Sequence, residues 1–180
     1  SGVSGENLTL TGSGFLGAAS AGTQTITNNN TLAIADGTGI ASNYTLIGAT
    51  INVTVVPRTL NVTLSREYDG TTSVSGSSLT PTFDSLQGGE TLALTGTGSI
   101  SNANVGSSKS VTLGTIALAS GSGNPNNYTL NSATMDVTQK VINLDGIRAY
   151  DASTDVLSSD INTFGNIVSG ETLTISGTGT

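Results

Sequence analysis

Side chains able to do chemistry are sparse in this 180-residue chain: twelve Asp and Glu, five Lys and Arg, and neither histidine nor cysteine. Without imidazole or thiol, the usual general base, the usual metal ligand and the two commonest activated nucleophiles are missing. Carboxylates do not replace them. Glu6, Glu90 and Glu171 each follow a glycine and open an apolar run, but a lone carboxylate cannot act as both acid and base. Each therefore reads as a turn residue or an inter-repeat hydrogen-bonding residue. The sequence points to a protein that is not an enzyme and has no catalytic residue.

Calcium is the one cofactor that the residue types invite, because it is a hard cation held by loop oxygens. Asp145, Asp151, Asp155 and Asp160 crowd one stretch, and Asp69 and Asp84 lie in matching parts of an earlier one. No Asp-x-Asp-x-Asp loop accompanies them, so they are candidates by type and not by spacing. The five cations, Arg58, Arg66, Lys109, Lys140 and Arg148, form no basic stripe, and the net charge is −7. Nucleic acid and anionic membrane surfaces are thus unsuitable partners. No apolar run approaches the roughly 20 residues that would insert in a bilayer as a helix. Six Asn-x-Ser/Thr triplets, at Asn7, Asn29, Asn43, Asn52, Asn61 and Asn127, are what a chain rich in Asn and Thr forms by accident.

The few polar residues that stand out do so because they recur. Ser4-Gly5-Glu6-Asn7-Leu8-Thr9-Leu10 returns as Gly88-Gly89-Glu90-Thr91-Leu92-Ala93-Leu94 and again as Ser169-Gly170-Glu171-Thr172-Leu173-Thr174-Ile175, with nearly equal intervals between the three glutamates. Asn43-Tyr44-Thr45-Leu46 returns as Asn127-Tyr128-Thr129-Leu130, at the interval that separates Glu6 from Glu90. Arg66-Glu67-Tyr68-Asp69-Gly70-Thr71-Thr72 returns at almost the same interval as Arg148-Ala149-Tyr150-Asp151-Ala152-Ser153-Thr154. Three motifs keeping one order and nearly one period describe a tandem array. Its register divides the chain into residues 1–56, the second part of one repeat; 57–138, a complete repeat; and 139–180, the first part of the next.

Strands must position these motifs. Thr, Val and Ile suit a pleated half-buried surface, and the 24 glycines with many Asn suit tight turns. Leu60, Val62 and Leu64 alternate with Thr59, Asn61 and Thr63; Leu92 and Leu94 alternate with Thr91, Ala93 and Thr95. Val111 and Leu113 precede Ile116 and Leu118, and Tyr128 and Leu130 lead to Met135 and Val137. Period two puts one face in the core and one in water. Six or seven short strands in about 82 residues predict an all-β fold of tandem immunoglobulin-like β-sandwich repeats, with a β-solenoid as the alternative. Only a few residues join one repeat to the next, which predicts a stiff rod.

The succession Val56-Pro57-Arg58-Thr59-Leu60, Glu67-Tyr68-Asp69-Gly70-Thr71-Thr72, Gly88-Gly89-Glu90, Val105-Gly106 with Lys109, and Asn127-Tyr128-Thr129-Leu130 resembles the YDG repeat of large bacterial exoproteins of the filamentous-haemagglutinin type. That resemblance implies a secreted adhesin or matrix fibre at the bacterial cell surface, exported by two-partner secretion, with the repeats as its stalk. Ala152 stands where the motif expects glycine, so the turn in the third unit is expected to differ. Tyr68, Asp69 and Gly70, with Tyr150 and Asp151, read as a structural turn beside a core-edge aromatic. Tyr128, Asn127 and Glu90 read as structural in the same way. The partners expected are neighbouring repeats and copies of the chain itself, joined head to tail. A glycan- or receptor-binding adhesin module is the alternative function.

Overall fold

A computed structural model describes residues 3–46 and 50–179. Residues 1, 2 and 47–49 of the first sequence segment and 180 of the last lie outside the described residues. The fold is all-β: 45% of the described residues are strand, 9% lie in 3-10 turns, and one sheet curls into a half-barrel. No helix among the described residues is long and apolar enough to cross a membrane. Two compact units are present, one of Ser1–Leu60, Gln87–Leu92 and Leu118–Thr129, the other of Asn61–Leu86, Ala93–Ala117 and Leu130–Thr180.

The first unit carries strands β1 (Leu8–Thr11), β2 (Phe15–Leu16), β3 (Gly22–Asn28), β4 (Ala33–Asp36) and β5 (Asn52–Val55). β1 pairs antiparallel with β4, from Leu8 opposite Asp36 to Thr11 opposite Ala33. Threonines reinforce that ladder: the Thr9 hydroxyl donates to Ala35 O at 3.3 Å and that of Thr11 to Ala33 O at 3.2 Å. β3 runs antiparallel between β2 and β5. Short 3-10 turns at Val3–Gly5, Ala41–Asn43 and Pro125–Asn127 hold the recurring motifs.

Beyond β5 the chain continues through β6 (Arg58–Glu67), β7 (Ser73–Ser75), β8 (Thr82–Phe83), β9 (Leu92–Thr95), β10 (Thr97–Ile100), β11 (Gly106–Thr112), β12 (Ala117–Ser120) and β13 (Tyr128–Thr138). It ends with β14 (Asn143–Gly146), β15 (Val156–Leu157), β16 (Ile161–Gly165) and β17 (Thr178–Gly179). The largest sheet has the order β7-β10-β11-β13-β6-β8, and β9 pairs with β12, β14 with β16 and β15 with β17. Contacts from β6 to β13 climb together, Asn61 to Ser132, Thr63 to Thr134 and Arg66 to Thr138, so these two strands run parallel. A parallel pair needs a long crossover, and the chain from β7 to β12 supplies it.

The alternation in the sequence is the alternation in the core. Along β6, Val62 and Leu64 are buried while Asn61, Thr63 and Ser65 are exposed. On β13, Ala133, Met135 and Val137 are buried. Every buried hydrophobic side chain among the described residues falls between Leu60 and Val137. Close backbone approaches explain two glycines that recur one period apart. A Cβ on Gly12 would stand 2.0 Å from Thr31 O and one on Gly96 2.0 Å from Thr115 O, and both have left-handed φ, +82° and +78°. Any other residue would collide with the facing backbone.

Candidate functional site

Each recurring glutamate sits at the end of a tight turn. Its N–H donates to the carbonyl three residues back: Glu6 to Val3 O at 3.2 Å, Glu90 to Gln87 O at 2.8 Å and Glu171 to Val168 O at 3.0 Å. The glycine before each glutamate is left-handed, with φ +83° at Gly5, +75° at Gly89 and +88° at Gly170. This is the conformation that the second central residue of such a turn demands.

What the glutamate then does is take a phenol. The Tyr44 hydroxyl donates to Glu6 Oε2 at 2.5 Å and accepts the Val3 N–H at 2.9 Å. Tyr128 repeats this one period on, donating to Glu90 Oε2 and accepting the Gln87 N–H at 3.2 Å. The strand opening beside each glutamate is tied to the loop before each tyrosine. Asn7 N donates to the Thr38 hydroxyl at 2.8 Å and Thr91 N to that of Ser122 at 2.9 Å. Gly39 N donates to Asn7 O and Gly123 N to Thr91 O, at 3.0 and 2.9 Å. These two glycines touch the acid itself: a Cβ would meet Glu6 Oε2 at 2.9 Å or Glu90 Oε2 at 3.0 Å. Asn127, the residue before the second tyrosine, accepts the Ala21 N–H on Oδ1 at 2.8 Å.

Glu171 takes a different phenol. Tyr68, far earlier in the chain, donates to its Oε1. The turn that presents Tyr68 is tightly clamped. Asp69 Oδ1 accepts the Thr71 N–H at 2.9 Å and hydroxyl at 3.0 Å, Gly70 is left-handed at φ +75°, and the Arg66 guanidinium pairs with Asp69 at 3.1 Å while donating to Thr71 O and, at 2.6 Å, to Ser73 O. Gly70 packs on the turn below Glu171, where a Cβ would meet Val168 Cγ1 at 2.7 Å. The matching turn repeats the clamp: Asp151 Oδ1 accepts the Ser153 N–H at 2.9 Å, and Arg148 pairs with Asp151 at 3.5 Å and donates to Ser153 O and Asp155 O. Ala152 takes the left-handed conformation at φ +60°, so the expected difference in this turn reduces to strain at one residue. Tyr150, the counterpart of Tyr68, is 94% exposed.

These bonds set the titration of the groups. Its hydrogen bond to Glu171 raises Tyr68 above the ordinary phenol value, with desolvation and the Glu171 and Asp69 charges acting the same way. Tyr128 is raised by its bond to Glu90, against the opposing Gln87 N–H. Burial alone would push Asp69 up, but the two hydrogen bonds from Thr71 and the Arg66 charge outweigh it and hold Asp69 below the ordinary carboxylate range. Asp84 is lowered by the Asn61 backbone N–H, at 3.1 Å, and by the Asn61 amide, at 2.7 Å.

Four of the aspartates that calcium would use, Asp69, Asp84, Asp151 and Asp160, have their carboxylates engaged locally. Asp69 and Asp151 cap turns, Asp84 holds Asn61, Asp160 Oδ2 accepts the Leu157 N–H, and Asp145 lies in β14 opposite Thr163. Asp155 contributes its backbone, donating N–H to Ser153 Oγ and accepting Arg148 on its carbonyl. Among the described residues no three of His, Cys, Asp and Glu gather into a metal-sized group. The sequence brings out Glu90, Tyr128, Tyr68 and Asp69 but not that the acids and phenols meet. Nor does it bring out Arg66 and Arg148 as clamps, although their constant place two residues before the tyrosine is an available signal.

Compared with known protein families, residues 52–135 match the YDG domain. Neither the curated proteins nor the solved structures contain a match to the chain.

Proposed function

We propose that this chain is a structural, non-catalytic module of an extracellular bacterial fibre: a stalk of tandem β-sandwich repeats, each the length of residues 57–138, in a secreted adhesin or matrix filament of the filamentous-haemagglutinin type. The YDG domain at 52–135 and the recurrence of three motifs at one period support an array. One observation carries the mechanical reading. The Tyr68 hydroxyl of one sequence repeat is bonded to Glu171 of the next, at a place where Gly70 also packs on Val168. A charge-assisted bond of this kind, stronger than a neutral one, restricts rotation at a joint that only a few residues span. Stiffness then comes from the joint and not from the linker alone.

The test is length. Chains carrying two, four and six copies of residues 57–138 are measured by small-angle scattering and electron microscopy. A stalk gains the same length with every copy. A maximum dimension that instead grows as that of a flexible string, with Tyr68→Phe making no difference, defeats the reading. Glycan-array binding by one such copy would favour the receptor-binding alternative.

A further inference from the structure

The environment of Glu171 is half of what surrounds Glu6 and Glu90. Both of those acids hold the tyrosine of an Asn-Tyr-Thr-Leu segment on Oε2. Glu171 holds Tyr68 on Oε1, and among the described residues no Asn-Tyr-Thr-Leu tyrosine reaches it. Beside it lies a cleft of 460 Å³ whose walls include Tyr68, Val105, Val141, Val168, Glu171 and Leu173. Beside the polar Gln139, Lys140 and Glu171, its apolar lining is uncovered: Val105 is 51% exposed, Val141 70% and Leu173 47%. Leu92 has the place beside Glu90 that Leu173 has beside Glu171, and it is only 7% exposed.

The positions that grip the segment elsewhere are present here. Val168 precedes Glu171 by three residues, as Gln87 precedes Glu90, and Gln87 supplies the N–H that Tyr128 accepts. Val105 follows Ala21 at the interval by which Glu90 follows Glu6, and the Ala21 N–H is held by Asn127. We propose that this cleft is the seat for an Asn-Tyr-Thr-Leu segment of a further repeat. Its tyrosine donates to Glu171 Oε2 and accepts the Val168 N–H, its asparagine accepts the Val105 N–H, and its flanking strand covers Val105 and Leu173. Glu171 then takes two phenols at once, Tyr68 from the repeat before and a second from the docked segment. The repeating acid becomes the pin of the joint.

The inference rests on the array reading, yet the two fail separately. The isotope-labelled full chain is titrated with a peptide copying residues 118–138. In parallel, a copy of residues 100–138 is fused after Thr180, where it completes the period. Saturable one-to-one binding is expected, with amide-exchange protection appearing at Val105 and Val168 in both formats. Replacing the peptide's tyrosine by Phe, or Glu171→Ala, removes a hydrogen bond to a charged group and weakens binding about tenfold or more; Glu171→Gln keeps an acceptor and loses less. Absence of protection at Val105 and Val168 in the fused chain, or binding indifferent to both substitutions, overturns the seat. Such a result, with lengths that still grow evenly by copy number, leaves the stalk standing without this pin. Uneven lengths together with a responsive peptide do the reverse.

Discussion

At the scale of single residues, the phenol–carboxylate bonds make a signed statement about pH. Tyr68 and Tyr128 titrate above their ordinary value because Glu171 and Glu90 hold the protonated hydroxyls. In the unfolded chain they ionise near pH 10. The folded state therefore binds more protons above that point, and stability falls as pH rises from about 10 through the raised folded values. Below pH 10 the contribution is complete. Tyrosinate absorbance should show a late-titrating phase that shrinks in Tyr68→Phe and again in Tyr128→Phe, and an unchanged curve in both variants would contradict the bonds. Asp69 and Asp84 carry the opposite sign: held below their ordinary value, they stabilise above about pH 4 and lose that contribution as pH falls. Ala152 gives a second residue-level prediction. Its φ of +60° puts a Cβ in a region costing roughly 1–2 kcal/mol, while glycine adds unfolded-state entropy worth about 0.5–1 kcal/mol. Ala152→Gly should thus stabilise by about 0.5–1 kcal/mol, read as a rise in the denaturant midpoint.

Elements obey a simpler rule. The buried apolar row of β6 and its exposed polar row alternate because successive residues take opposite sides of the pleat. Leu64 is 0% exposed, and Leu64→Ala should cost about 2–5 kcal/mol. Leu144 of β14 is 42% exposed, so its truncation should cost well under half of that; comparable losses at the two positions would show that β14 belongs to the same core. These rows are legible in the sequence because period two identifies a strand's dry face. Leu60, Val62, Leu64, Leu92, Leu94, Met135 and Val137 all read as buried and are buried. Which strands meet is not legible. Nothing in the residues of β6 says that it lies beside β13, far along the chain, because a pleated face records burial and not its neighbour. The site divides the same way. Asp69 and Gly70 are local turn chemistry and announce themselves, whereas the Tyr68–Glu171 bond joins distant parts of the sequence and depends on how β6 and the Glu171 turn are brought together. Arg66 is hard to read for a related reason: its recurrence as Arg148 marks the position, but an arginine's reach lets it clamp a turn further along the chain, as it does at Thr71 and Ser73, and the recurrence does not say which atoms it holds.

For the whole molecule, the uneven distribution of burial decides what stability must depend on. All the buried apolar side chains among the described residues fall between Leu60 and Val137, while Phe15, Ile40, Val56, Val141, Ile147 and Leu173 stand exposed in the flanking sequence. In repeat proteins, stability is the sum of each unit's own contribution and a term for every interface with a neighbour. On the proposed array, the intrinsic term would belong to the middle segment, and the flanks would gain theirs when an adjoining copy covers them. Adding copies of residues 57–138 should therefore raise the unfolding midpoint steeply over the first few and then level off, because each internal copy has two neighbours and each terminal copy one. Thermal unfolding of the two-, four- and six-copy chains measures this. The Tyr68→Phe change made in every copy should flatten the rise while leaving the midpoint of a single copy almost untouched, since Tyr68 spends its hydroxyl on the next repeat. A midpoint independent of copy number would mean that the units fold alone and that the exposed flanking residues serve something other than their neighbours.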